Sequence, residues 1–224
     1  MAPEEVPPVQ RRIVRACRQA GKPSIVATQM LESMINVPTP TRAEASDVAS
    51  AIYHGADAVM LSAESASGQF PVEAVAMMNR IITVAESDYG YYRPMSDAAR
   101  PAPTATIPDV ICAGIREATR LLPVAAVVTY TTSGSSSLRT SRERPAASIL
   151  SMATSTKTAR RLTLGWGLHS VETPQIVSVD EMSAYACEVA IREGFAAKGD
   201  IIVVATGTPV GVQGTTNTLK ILTA

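Results

Sequence analysis

Two short apolar runs, Ser24–Ala27 and Ala58–Leu61, each stop at polar residues, and an Ala/Ser-rich segment with helical spacing lies between them. Strands this short cannot bury themselves. Strand, helix and strand in that order, on short connections, fold as a parallel pair with the helix packed across it. In such units chemistry collects at the carboxyl ends of the strands. Those ends carry Thr28, Gln29, Met30 and Glu32 after the first run, and Ser62, Glu64 and Ser65 after the second.

The flanking signals agree with that reading. Thr41 followed three residues later by Glu44 has the spacing of a capping box, which predicts a helix from about Arg42 to His54 that ends at Gly55. Pro71 opens a helix from about Val72 to Ser87. Residues 4–20 form a first helix whose apolar face would be Val9, Ile13, Ala16 and Cys17. Residues 88–108 then change character, with prolines, tyrosines and no periodicity, as expected of a linker.

Strand and helix patterns resume beyond it. A helix over 109–122, with Val110, Ile111, Ala113, Ala118 and Leu121 inward, precedes a buried strand at 125–130. The Gly/Ser/Thr loop Thr131–Ser137 opens a helix reaching about Arg144. Strands follow at 147–152, 169–171, 201–205 and 217–222, with helices at 156–165 and 179–195 between them and Ser178 as a cap. The fold class is therefore α/β. Residues 1–90 supply only two strands and read as part of something larger. Residues 91–107 are a linker, and 108–224 form a complete α/β domain with a mainly parallel sheet of about five strands.

Composition narrows the function. With 46% hydrophobic but 4% aromatic residues, the core is aliphatic. Twenty basic residues balance twenty acidic ones, which argues against a nucleic-acid partner. Cys17, Cys112 and Cys187 are odd in number and scattered, neither a disulfide framework nor a metal site, and are expected to be buried reduced thiols. No apolar run approaches the ~20 residues that span a membrane. The opening MAPEEVPPVQRR is acidic and Pro-rich, unlike a signal peptide.

Several segments also carry a resemblance. ATQMLESM at 27–34, PTRAEASDVASA at 40–51, ADAVMLSAES at 56–65 and PVEAV at 71–75 fall in one order, followed by SGSSS at 133–137, KTARRL at 157–162, KGDIIVVATG at 198–207 and GTTNTL at 214–219. From Glu4 onward the chain resembles pyruvate kinase. The resemblance implies the last two or so βα units of a (β/α)8 barrel followed by the family's C-terminal domain. It implies a cytoplasmic, homo-oligomeric glycolytic enzyme that moves phosphate from phosphoenolpyruvate to ADP, giving pyruvate and ATP, with Mg and K. In the family the metal-binding Glu and Asp, the catalytic Lys, the potassium ligands and most of the nucleotide site precede the matched region. The chain is therefore expected to hold none of them, to have no complete catalytic set and no metal ligands, and to be inactive alone. The alternative is a non-catalytic effector-binding or assembly module, or one half of a split enzyme.

Two sets of residues are candidates. Thr28 offers donors at a strand end, suited to an anion. Taken alone, a strand-end threonine more often satisfies its own loop. The resemblance assigns it the pyruvate carboxylate and makes Gln29, Ser62 and Glu64 active-site wall, with Ser62 and Glu64 orienting the loop. In the second set, Thr131, Thr132, Ser133, Gly134, Ser135 and Ser136 end a buried strand and open a helix, the arrangement of a phosphate cradle or of a plain helix cap. The resemblance assigns them the phosphate of an allosteric effector, with the loop at 206–216 as facing wall. Members that bind fructose 1,6-bisphosphate often carry Lys and Arg where Thr132 and Ser135 stand here. Arg139 and Arg142 are expected to compensate in part, and a sugar monophosphate or AMP is the expected effector. Trp166 reads as packing, and His54 and His169 as isolated helix-end or surface histidines.

Overall fold

The computed structural model describes residues 2–88, 106–210 and 214–224. The chain divides into two compact units, residues 1–100 and 101–224. Most of the expected linker lies outside the described residues.

The first unit runs α1 (Val6–Gln19), β1 (Ile25–Ala27), a 3-10 turn at Glu32–Ile35, α2 (Arg42–Tyr53), β2 (Ala58–Met60), the short α3 (Ala63–Ala66) and α4 (Pro71–Ser87). β1 and β2 pair parallel, with Ile25 opposite Ala58 and Ala27 opposite Met60. The capping box forms as the spacing predicts: the Thr41 side chain accepts the Glu44 N–H while the Glu44 carboxylate takes the Thr41 N–H at 2.7 Å. Val14, Val26, Leu31, Met34, Val48, Ala51, Ala74 and Met78 build one aliphatic core. The inward face of α1 differs from expectation. Val14 and Arg18 are buried, whereas Ile13 is 55% exposed. On α4, Val72, Val75 and Val84 remain exposed.

The second unit runs α5 (Ile107–Leu121), β3 (Val124–Thr131), α6 (Ser135–Glu143), β4 (Ser148–Ala153), α7 (Thr156–Leu162), β5 (Leu168–Glu172), α8 (Val179–Arg192), β6 (Ile201–Gly207) and β7 (Thr216–Thr223). The sheet order is β5-β4-β3-β6-β7, parallel except for β7, which runs antiparallel to β6. Alternation along the strands builds both cores. Ala126, Val128, Tyr130, Leu150 and Met152 meet Met182, Ala186, Val189 and Ala190 of α8. Val127, Ile149, Val203 and Ala205 meet Ile115 of α5.

The α5 periodicity misleads in the same way as α1. Val110 and Leu121, expected inside, are 61% and 80% exposed, and the buried residues are Asp109, Cys112, Ile115, Arg116 and Thr119. The helix turns charged residues inward because they are paired there: Arg116 with Glu143 at 2.6 Å, and Asp109 with Arg139 and Arg142. A reading by hydropathy alone assigns such residues to solvent. The three cysteines are free, but only Cys112 is buried, and burial pushes its thiol up to about 11.

Candidate functional site

In the first unit the parallel register brings Thr28 and Leu61 just past the paired strand ends. Thr28 and Gln29 have φ of 76° and 56°, two consecutive non-glycine residues in the left-handed region. For a β-branched threonine this conformation is a true outlier, and strain of about 1–3 kcal/mol per residue persists only where the surroundings impose it. Thr28, Gln29 and Ser62 are exposed, while Glu64 is 3% exposed. The Glu64 carboxylate accepts the Ser62 N–H at 2.7 Å and the Leu31 N–H at 3.3 Å. It therefore joins the two strand-end segments. Glu44 does the same for the intervening loop, accepting the Ser33 N–H and hydroxyl, both at 2.6 Å, as well as Thr41. Burial works against its charge, but those donors hold its carboxyl below the usual range.

The carboxylates of this unit do not fit a divalent cation. Glu44 accepts four N–H and hydroxyl donors, Glu64 accepts two backbone N–H groups, and Asp57 takes the N–H and hydroxyl of Ser24 at 2.8 and 3.2 Å. Among the described residues, no group of three or more His, Cys, Asp or Glu could hold a metal ion.

In the second unit, the connections from β3 and β6 leave toward opposite ends of the sheet order, so the carboxyl ends of these two adjacent parallel strands mark a topological switch point. That is where open α/β sheets bind ligands. The loop after β3 is Thr132–Gly134. Thr131 Oγ1 accepts the Gly134 N–H at 2.9 Å, and Gly134 takes φ 89° to turn the chain into α6, a conformation that favours glycine. Ser136 Oγ and Thr216 Oγ1 lie 2.5 Å apart, joining the loop region to the base of the segment after β6. Beneath them the Ser137 hydroxyl bonds to Thr129 at 2.8 Å and Ser151 at 2.7 Å. Ser133 is partly and Ser135 fully open at the loop surface.

Arg139 and Arg142 do not serve this loop as expected. Both reach Asp109 Oδ1, at 2.5 and 2.7 Å, on the α5 side. Trp166 is buried with the Arg144 guanidinium 4.9 Å from its ring centre, a packing role. His169 is not isolated: its Nε2 is 3.4 Å from Glu193, a partner 24 residues away that sequence proximity does not show. His54 follows α2 as its C-cap; burial and the nearby charge of Arg11 push its pKa down.

Comparison with known proteins follows the same two units. The family profile described as "Pyruvate kinase, alpha/beta domain" matches residues 109–222, and "Pyruvate kinase, barrel domain" matches residues 1–75. The chain belongs to the pyruvate kinase family. A pyruvate kinase of Methylorubrum extorquens is 49% identical over 219 residues, covering 97% of this chain and 45% of the relative. One from Agrobacterium vitis is 47% identical over 222 residues, covering 99% of this chain and 47% of the relative. The crystal structure of a pyruvate kinase from Cryptosporidium parvum superposes with a TM-score of 0.90 at 31% identity, covering 100% of this chain and 44% of that one. The chain thus spans about half the length of the pyruvate kinases it matches, a C-terminal portion. No helix among the described residues is long and apolar enough to cross a membrane.

Proposed function

We propose that this chain is the C-terminal portion of a cytoplasmic pyruvate kinase, which transfers phosphate from phosphoenolpyruvate to ADP. One observation carries the reading: barrel-type and α/β-type units of that family follow one another in a single chain at 49% identity to a pyruvate kinase. Thr28 holds the substrate carboxylate from its strained strand end, and Gln29, Ser62 and Glu64 form the wall. Glu64 fixes the shape of that wall through its two backbone acceptor bonds.

Phosphoryl transfer is chiefly charge neutralisation and alignment. Among the described residues, no group of three or more His, Cys, Asp or Glu could hold a divalent metal ion for that step. The chain by itself is therefore expected to turn over no substrate. A lactate dehydrogenase-coupled assay of pyruvate formation tests this: the purified chain should read zero, and any turnover proportional to chain concentration refutes it. Turnover that appears on mixing with a polypeptide carrying the preceding barrel strands supports the split-enzyme form of the reading.

The loop Thr131, Thr132, Ser133, Gly134, Ser135 and Ser136 binds the phosphate of an effector, a sugar monophosphate or AMP; residues 211–213 of the expected facing wall lie outside the described residues. Its place at the switch point supports this. Unchanged affinity for a sugar monophosphate in a Ser133→Asp, Ser136→Asp variant would sink it. The enzyme works as a homo-oligomer, and the exposed apolar stripe of α5 is the surface that supports this part of the reading.

A further inference from the structure

One helix of the second unit lies on the sheet through a different chemistry from its neighbours. The buried residues of α8 are Met182, Ala186, Val189 and Ala190. Those of α6 are Ser136, Ser137, Thr140, Ser141 and Glu143, all of them polar. Leu138 is the one apolar side chain of α6, and it is half-buried. The contact with the sheet is a layer of hydroxyls. Ser137 Oγ lies 2.8 Å from Thr129 Oγ1 on β3 and 2.7 Å from Ser151 Oγ on β4, and Ser141 donates to the Trp166 carbonyl at 2.7 Å. Such bonds replace bonds to water and hold a helix less firmly than buried aliphatic side chains do. At the carboxyl-terminal end, Arg142 and Glu143 pair with Asp109 and Arg116 of α5, and buried pairs spend much of their attraction on their own desolvation.

The helix is weak by its local chemistry as well. It has 9 residues, short of the ~12–15 that an isolated helix needs. Ser135, Ser136, Ser137, Thr140 and Ser141 compete with the helix for its backbone bonds. Its N-cap, Gly134, supplies no side-chain acceptor, and its first turn holds no acidic residue. Its C-cap, Arg144, takes φ 54°, a left-handed conformation that a non-glycine residue adopts under strain. The strands beneath it are of the opposite kind, with Val127, Val128, Ile149, Leu150 and Val203 fully buried.

We propose that α6 is a latch: it leaves the sheet and melts as a unit while β3, β4, β6 and α8 stay folded. A segment this short and this rich in serine does not keep its helix once off the sheet. Opening breaks the tie to β7, where Ser136 meets Thr216 at 2.5 Å, and the ties of Arg142 and Glu143 to α5 in one step. It also releases the segment between β3 and β4. The latch needs no ligand at the loop after β3 and stands apart from that reading.

Native-state amide exchange of the full chain in increasing urea, read residue by residue by NMR, tests this. The α6 amides should exchange through an opening about 100-fold or more above the population of the one that exposes β3, and with a much smaller urea dependence. One shared exchange isotherm for α6 and β3 overturns the latch. Two variants separate a local opening from global unfolding. Val189→Ala trims the core on the α8 face of the sheet, away from α6. It should speed exchange of β3 and α8 and leave α6 unchanged, because those contacts persist when only α6 opens. Equal acceleration of α6 and β3 overturns the proposal. Ser135→Glu changes an exposed residue and places an acid at the helix N-terminus. It should slow α6 exchange about two- to fivefold. Unchanged α6 exchange in that variant overturns the claim that the helix melts when it opens.

Discussion

Glu64 accepts the backbone N–H of Leu31, a residue 33 positions away, and so ties the segment after β1 to the segment after β2. Its second carboxylate oxygen holds the Ser62 N–H at 2.7 Å. The pair behaves as a staple between two strand ends, with the charged group acting as acceptor. Leu31 lies three residues after Thr28 and two after Gln29, the pair with positive φ.

Replacing Glu64 with alanine leaves two backbone donors without their acceptor, the buried Leu31 N–H and the part-buried Ser62 N–H. An orphaned buried donor costs about 1–3 kcal/mol, so Glu64→Ala should lose about 1–3 kcal/mol of local stability. Glu64→Gln keeps one oxygen acceptor and should lose about half of that. Amide hydrogen exchange at Leu31 and Ser62 reads the effect directly. Exchange at both sites unchanged from the parent would remove the staple.

The pH dependence of the first unit has a sign fixed by His54. Burial, then the charge of Arg11, lowers its pKa below the ordinary 6.5. The folded state thus resists protonation that the unfolded state accepts. The stability from neutral His54 is present above about 6.5 and is lost as pH falls from there through the folded pKa. Hydrogen exchange of the α2 amides should accelerate as pH falls across that window, after correction for intrinsic rates. His54→Gln should flatten the dependence. A parent-like slope in that variant would assign it to another group. Glu44, whose pKa is also lowered, acts in a separate and more acidic window, below its ordinary value of 4.5.

Much of the fold could be read from local signals. The Thr41–Glu44 box, the Ser178 cap, Pro71 and the Gly/Ser/Thr loop are short-range chemistry, and each formed where the sequence placed it. What could not be read was the direction in which a helix faces when its neighbours are charged. Asp109, Arg116 and Glu143 are buried because partners elsewhere in the chain receive them, and no window around Asp109 contains Arg139 or Arg142. The same limit applied to the sites. The sequence showed Thr131–Ser136 and the deficit of cations, but it suggested Arg139 and Arg142. The guanidinium that touches the loop, Arg161, lies 28 residues from Ser133 in the KTARRL segment, which gave no signal of that contact.

The outward stripe of α5 makes the assembly reading testable. Ile107, Val110 and Leu121 lie at helical spacings on one side of α5, and all are more than half exposed. An apolar stripe of this kind is stable in solution when covered. Val110→Glu should shift the sedimentation distribution toward smaller species at a given concentration. Burying an unpaired carboxylate in that contact is costly. A parent that sediments as a monomer at every concentration overturns the assembly reading.

Asp109 offers the severest test of how the second unit is held together. Its Oδ1 receives Arg139 at 2.5 Å and Arg142 at 2.7 Å, and its Oδ2 receives the Thr106 hydroxyl at 2.6 Å. Such an arrangement is a weak source of net stability relative to apolar packing, but removing one member leaves buried charge uncompensated. Asp109→Ala should therefore cost about 3–5 kcal/mol in urea unfolding followed by Trp166 fluorescence, which reports on this unit. Adding Arg142→Leu to that variant removes the buried guanidinium and should recover part of the loss, a coupling expected between residues in contact. Additive losses in the double variant would show that Asp109 and Arg142 act independently. The α5–α6 contact would then rest on Arg116 and Glu143 instead.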